Sequence, residues 1–267
     1  MIRPGEIQNI ARAVGVRDQQ IEKDYILSWM LKGISRYERL CRILVFKGGT
    51  CLKKFYFENY RFSEDLDFTL LNDNISNNEI LDGFGSVFKF IKEKANIPLN
   101  ILESDEHEDG GLYFFIGYIG PLGGQGVNKK IKIDVARSEK LEFKIVINNA
   151  CKTYSDIDDY QIPCYTLEEI LVEKMRTVMQ RMIARDFYDI WYLLEMEGID
   201  ANKYLNEFKN KCNSKGLGAS KFKDKLAERI PQYEGQWKSS LRDQIKDLPD
   251  FEKVEREILR HLKKLNL

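Results

Sequence analysis

Hydrophobic positions along the chain repeat with two periods, and the switches between them mark out the elements. Residues 7–13 and 18–33 read as helices, the second because Ile21, Tyr25, Ile26, Trp29 and Met30 recur at helical spacing. Glu22, Lys23 and Asp24 lie on its other side and read as a solvated face. The apolar run 43–46 then ends in Gly48 and Gly49, a helix-like stretch follows, and Leu66–Leu70 returns as a strand. Residues 72–78 form a turn, and 79–95 a helix with Ile80, Phe84, Val87, Phe88 and Ile91 on its inner face. Residues 100–103, 112–119 and Lys130–Ala136 read as further strands. The last alternates strictly, with Ile131, Ile133 and Val135 on one side and Lys130, Lys132 and Asp134 on the other.

Beyond these strands the period is helical throughout. Thr166-Leu-Glu-Glu169 is a capping-box pattern that opens a helix to about Met182, with Leu167, Ile170, Leu171, Met175, Val178, Met179 and Met182 as its apolar stripe. Lys174 lies inside that stripe, where an unpaired ammonium is costly. It needs an anion, or else it snorkels at the stripe's edge. Arg185-Asp-Phe-Tyr-Asp189 opens another helix with Phe187, Ile190, Trp191 and Leu194 inward, and Arg185 and Asp189 are spaced for a surface ion pair. From about Ala201 the chain is Lys-rich and helical, broken at Lys215-Gly-Leu-Gly218, Pro231 and Pro249. The expected class is α+β, a mixed sheet flanked by helices with a helical C-terminal region. The expected domains are 1–165 and 166–267.

The 267 residues suffice for such a core and a helical companion. Lys+Arg and Asp+Glu both number 42, so the whole-chain balance implies no general affinity for polyanions. The charge is uneven, however: residues 201–267 carry 16 Lys/Arg against 10 Asp/Glu. Lys203, Lys209, Lys211, Lys215, Lys221, Lys223 and Lys225, interleaved with Tyr204, Phe208 and Phe222, resemble an RNA footprint, or else a solvated pair of Lys-rich helices. Five scattered cysteines imply neither a disulfide framework nor a zinc site. With no apolar leader and no run of membrane-spanning length, a soluble cytoplasmic protein is expected.

The candidate chemistry sits where the strands carry acid. Asp65 and Asp67 share a strand face, and like charges held that close need a cation. Asp134 reaches the polar face of its own strand, so three carboxylates from two strands offer the hard oxygen ligands that Mg²⁺ prefers. A pair of ions so held would activate an attacking hydroxyl and stabilise the leaving oxygen in a displacement at phosphorus. Gly48 and Gly49, at the start of a helix, let backbone N–H groups approach a phosphate. Lys174 could neutralise the far end of a triphosphate. No Gly-Lys-Ser/Thr follows the glycines, which excludes the Walker type of site. With His107 and His261 as the only histidines, a histidine-based hydrolase has little support. The stretch 120–126 mimics a dinucleotide fingerprint, but a strand follows it where that motif needs a helix, so it reads as a flexible hairpin loop. A metal-dependent phosphodiesterase or nuclease, or a non-catalytic nucleotide-binding protein, remains an alternative at this point.

Lys47-Gly-Gly-Thr-Cys-Leu-Lys-Lys54, Arg61-Phe-Ser-Glu-Asp-Leu-Asp-Phe68, Ile131-Lys-Ile-Asp-Val135, Glu173-Lys-Met-Arg176 and Arg185-Asp-Phe-Tyr-Asp189, in that order, resemble the AbiEii/AbiGii toxin family of nucleotidyltransferases. Glu22-Lys-Asp-Tyr25 is similar to that family's opening segment. The resemblance implies a DNA polymerase β-like nucleotidyltransferase fold and transfer of NMP from an NTP to an acceptor hydroxyl. It also implies the toxin half of a type IV toxin–antitoxin pair, with a cognate antitoxin encoded nearby. By the same resemblance Asp65 and Asp67 bind catalytic magnesium, and Asp134 completes the site and helps deprotonate the acceptor. Lys47, Gly48, Gly49, Thr50 and Ser63 form the nucleotide-binding set, Lys174 contacts phosphate, and Asp186 lies near the acceptor or the base. The acceptor is left open among RNA such as tRNA, a protein, and a small molecule such as an aminoglycoside.

Overall fold

The computed structural model describes residues 1–124 and 129–267. The chain divides into two compact units, one of Met1–Glu139 with Ile145–Cys164, the other of Lys140–Lys144 with Tyr165–Leu267.

The first unit is built on a seven-stranded mixed sheet in the order β3-β4-β5-β2-β1-β7-β6. Helices α1 (Pro4–Val14), α2 (Asp18–Arg36) and α3 (Glu38–Ile43) precede β1 (Leu44–Lys47), which runs directly into the short helix α4 (Gly48–Cys51) and a π-helical turn, Leu52–Tyr56. Strand β2 (Leu66–Leu70) pairs antiparallel with β1 and parallel with β5 (Lys130–Ala136). Between them in sequence come α5 (Asn77–Ala95), β3 (Leu99–Glu106) and β4 (Leu112–Tyr118). Ser76 and Glu79 close a full capping box on α5, which fixes its start. Gly33 lets α2 approach α5, since a Cβ there would meet Val87 Cγ1 at 2.6 Å. Strand β5 alternates buried and half-buried positions along its whole length, as its sequence pattern requires.

Two strands escape the sequence pattern. β6 (Val146–Asn149) and β7 (Gln161–Cys164) have four residues each, too few to show a period, and Pro163 argues against a strand. The expected solvated face of α2 is also wrong. Glu22 and Asp24 are 0% and 1% exposed, because each meets a cation brought in from elsewhere in the unit. Of the hairpin loop read over 120–126, residues 120–124 are described and Gln125 and Gly126 lie outside the described residues.

The second unit is helical: α6 (Leu167–Thr177), α7 (Ala184–Trp191), α8 (Leu205–Ser214), α9 (Phe222–Glu228), α10 (Ile230–Leu241) and α11 (Phe251–Lys264). Its core stacks Phe187 on Tyr233 and Phe251, with Trp237 edge-on. The α+β expectation with a helical C-terminal region is therefore borne out. Helix α6 ends five residues short of the predicted limit, where a turn intervenes before α7.

Candidate active site

The carboxylates are organised by strand register. Asp67 on β2 lies opposite Lys47 on β1 and opposite Asp134 on β5, and Asp134 in turn lies opposite Tyr113 on β4. Lys47, Asp67, Asp134 and Tyr113 thus form one row across four neighbouring strands, which stand about 4.8 Å apart. Asp65 precedes β2, and its backbone carbonyl accepts a 2.6 Å hydrogen bond from the Thr50 hydroxyl. That bond ties the glycine turn to the acidic segment. It also engages the hydroxyl that the family resemblance places along the triphosphate path.

The glycine turn approaches the row as closely as its residues allow. Gly48 has φ +79°, and a Cβ built there would stand 2.6 Å from Asp67 Oδ2. A Cβ on Gly49 would run into the Arg61 guanidinium, whose Nη1 also donates to the Phe62 carbonyl at 3.2 Å. Arg61 is buried, so its cation supports the underside of the turn. Lys47 and Ser63 are buried beside the same segments. Gly48→Ala should therefore destabilise the protein by about 1–3 kcal/mol, the range for a non-glycine residue forced into such a conformation. Denaturant unfolding reads that loss directly, and unchanged stability would mean that the turn relaxes away from Asp67.

Asp134 has close neighbours of its own. Lys132 Nζ stands 2.7 Å from its Oδ2, and His107 Nε2 is 3.1 Å from the same oxygen. Lys132 also lies over the Tyr113 ring, 5.2 Å from its centroid. Among the described residues, no three His, Cys, Asp or Glu side chains are gathered into a ready ligand cage. The backbone brings Asp67 and Asp134 side by side, while the Asp134 carboxylate is turned toward Lys132 and His107.

In the helical unit, Lys174 finds its anion inside the chain. Its Nζ lies 2.6 Å from Asp186 Oδ1 and 2.8 Å from Asp189 Oδ2, with both carboxylates buried. Asp189 is thus a buried partner of Lys174, which corrects the surface pair expected with Arg185. Asp186 also receives Arg181, through Nε at 2.7 Å. Burial pushes the Asp186 carboxyl upward, but Lys174 and Arg181 outweigh it and hold the group below the usual carboxylate range.

The basic tail also differs from its reading. Phe208 and Phe222 are buried against each other at 5.1 Å, so they belong to the core and offer no stacking surface. Lys211 is buried with Glu169 at 2.6 Å, and Lys223 and Lys225 donate to the carbonyls of Leu265 and Met179. Lys203, Lys209, Lys215 and Lys221 are exposed.

Sequence reasoning gave no role to Arg61, Lys132 or His107. Arg61 had a signal, because it opens the motif that contains Asp65 and Asp67. Lys132 had one too, two residues from Asp134 on the same strand face. His107 had none. No described helix is long and apolar enough to cross a membrane, and all five cysteines are free thiols.

A comparison with curated proteins returned no sequence match. Among solved structures, the chain is similar to JHP933 from Helicobacter pylori, with TM-score 0.60, 16% identity, and coverage of 93% of this chain and 92% of that one. It is also similar to MenT4, the nucleotidyltransferase toxin Rv2826c from Mycobacterium tuberculosis H37Rv, with TM-score 0.55 and 17% identity over 100% of both chains. At such identities the likeness shows the fold. The family profile described as nucleotidyl transferase AbiEii toxin, type IV toxin–antitoxin system, matches residues 31–257. Matching most of its length, that profile places the chain in the AbiEii family, and the protein is a nucleotidyltransferase toxin.

Proposed function

We propose that the protein transfers NMP from an NTP to an acceptor hydroxyl in a magnesium-dependent reaction, and that RNA, tRNA among its forms, is the acceptor. The observation that carries this reading is the position of Asp67, against Gly48 and across the β2–β5 ladder from Asp134. Phosphate recognition and acid chemistry would meet at one residue there.

The donor set fits magnesium. Asp65 and Asp67 would supply hard oxygen ligands, and Asp134, opposite Asp67 in the register, would join them once its carboxylate exchanges Lys132 for the metal. Bound magnesium, as one ion or a pair, supplies Lewis-acid stabilisation of charge on the phosphoryl oxygens. Gly48 and Gly49 would present backbone N–H groups to the triphosphate, with Lys47, Thr50 and Ser63 framing that path. Asp134 would take the proton from the acceptor hydroxyl. The acceptor oxygen then bonds to the α-phosphorus as the bond to pyrophosphate breaks, so pyrophosphate leaves with its electron pair. Lys174 and Asp186 enter as a paired cation and carboxylate, so contact of Lys174 with phosphate would require it to share charge with Asp186 and Asp189.

The excess of positive charge over residues 201–267 supports RNA as the acceptor, through its exposed lysines. The reaction would take place in the cytoplasm, and a cognate antitoxin would be the regulatory partner. Incubation with each labelled NTP and total cellular RNA and protein tests the reading, because the position of the label identifies donor and acceptor together. Replacing Lys203, Lys209, Lys215 and Lys221 with Glu should weaken RNA binding and flatten its salt dependence while NTP binding persists. RNA affinity indifferent to both salt and charge reversal would remove this surface as the docking site. Label on a protein or small molecule would overturn the RNA acceptor.

A further inference from the structure

Three consecutive charged residues on α2 each hold a different segment of the candidate active site. Lys23 Nζ bonds Glu64 Oε2 at 2.7 Å, one residue before Asp65. Asp24 Oδ2 meets Lys54 Nζ at 2.5 Å, in the π-helical turn that continues α4 from the glycines. Glu22 accepts the backbone N–H of Leu122 at 2.7 Å through Oε1 and pairs with Lys129 at 2.7 Å through Oε2, just before β5 and Asp134. Gly120 is part of that grip, because a Cβ there would stand 2.7 Å from Glu22 Oε1.

Helix chemistry makes the arrangement unusual. Consecutive residues on a helix point about 100° apart, so three neighbouring charges normally cannot all be buried against protein. Here Glu22 and Asp24 are buried and Lys23 nearly so, which requires the site's segments to wrap around this turn of α2. Buried charges are retained only with partners in good geometry, and each residue of this run has one. The partners lie on the three segments that carry or adjoin the glycine turn, Asp65 and Asp134. None of the three α2 residues lies in the strand row itself.

Resting on the nucleotidyl-transfer reading above, we propose that Glu22, Lys23 and Asp24 are positioning residues for transfer. They set the mutual placement of the glycine turn, Asp65 and Asp134, so the rate of the transfer step depends on them while NTP affinity does not. A misplacement of about 1 Å at reacting groups lowers rates by about a hundredfold, so a partial loosening should cost at least about tenfold.

The test uses the pair that is only partly buried, since such pairs contribute little to stability. Lys23→Met, Glu64→Gln, the double variant, and the exchange Lys23→Glu with Glu64→Lys are compared with Glu22→Gln for kcat, KM for NTP and unfolding temperature. Expected are a kcat lowered about tenfold or more in both single variants, with KM for NTP within about twofold and the unfolding temperature nearly unchanged, and a similar fall in kcat at unchanged KM in Glu22→Gln, where loss of a buried charge also lowers the unfolding temperature. The double variant should be no slower than either single one, and the exchange should recover part of the rate. Wild-type rates in folded single variants would overturn the proposal. So would losses that are additive in the double variant, or that track the unfolding temperature in the Lys23 and Glu64 variants. Wild-type protein that transfers no nucleotide to any acceptor would instead overturn the underlying reading, and this proposal with it.

Discussion

Asp67→Asn should abolish nucleotide transfer while leaving the protein folded. The substitution keeps the shape of the side chain and its place between Lys47 and Asp134, so the ladder on either side can persist. It removes the negative charge, and with it a hard oxygen ligand that the proposed magnesium would need. It also relieves repulsion among neighbouring carboxylates, which offsets any loss of stability from weakened cation pairing. A fall of at least about a thousandfold in rate is expected, equivalent to about 4 kcal/mol of transition-state stabilisation. Thermal unfolding should move by only a few degrees. Near-normal turnover in the purified variant would remove Asp67 from the catalytic assignment, and with it the central observation of the proposed mechanism.

Lys174→Met should have the second-largest effect, and it should appear in stability. The substitution keeps the apolar stem but removes the ammonium that lies between two buried carboxylates, Asp186 and Asp189. Breaking a buried ion pair on one side costs about 3–5 kcal/mol, because the remaining charge stays desolvated. Arg181 still reaches Asp186, so part of that carboxylate's pairing survives the substitution. The wild-type network has a pH signature of fixed sign. Asp186 has its folded pKa depressed below the unfolded value, so its contribution is full above the ordinary carboxylate pKa and is lost as the pH falls through the folded value. Urea unfolding of wild type and variant at neutral and strongly acidic pH checks both points. A variant as stable as wild type at neutral pH would mean that the two carboxylates find other partners. If the stability is unchanged and NTP affinity falls, the phosphate-contact role gains support instead.

The sheet was legible wherever its strands were long enough to show a period. Lys130–Ala136 announced its polar face, and Asp67 faces Asp134 as strand periodicity implies, whereas Asp65 lies just before β2 and does not share the strand face expected of it. Buried charge was not legible in the same way. Glu22, Lys23 and Asp24 read as solvent-facing because a lone helix gives no sign of the segments that will cover it, and their partners are distant in sequence. Lys174 was an intermediate case. Its position in an apolar stripe announced the need for an anion, but a phosphate and an aspartate one helix away meet that need equally well. The aromatic residues of the tail were misread because helical spacing of Lys and Phe describes a buried amphipathic helix as well as a stacking surface.

The parallel pairing of β2 with β5 has a consequence for the toxin during its own synthesis. Gly48, Asp65 and Asp67 leave the ribosome well before Asp134, with α5, β3 and β4 in between. A nascent or prematurely terminated chain that ends before Ile131 carries the glycine turn and two carboxylates but has no strand to complete the row. Because non-local parallel pairing forms late and slowly, the row is completed only after the sheet has closed around β5. If Asp134 acts as proposed, a fragment that lacks β5 would carry no complete site and would be inactive.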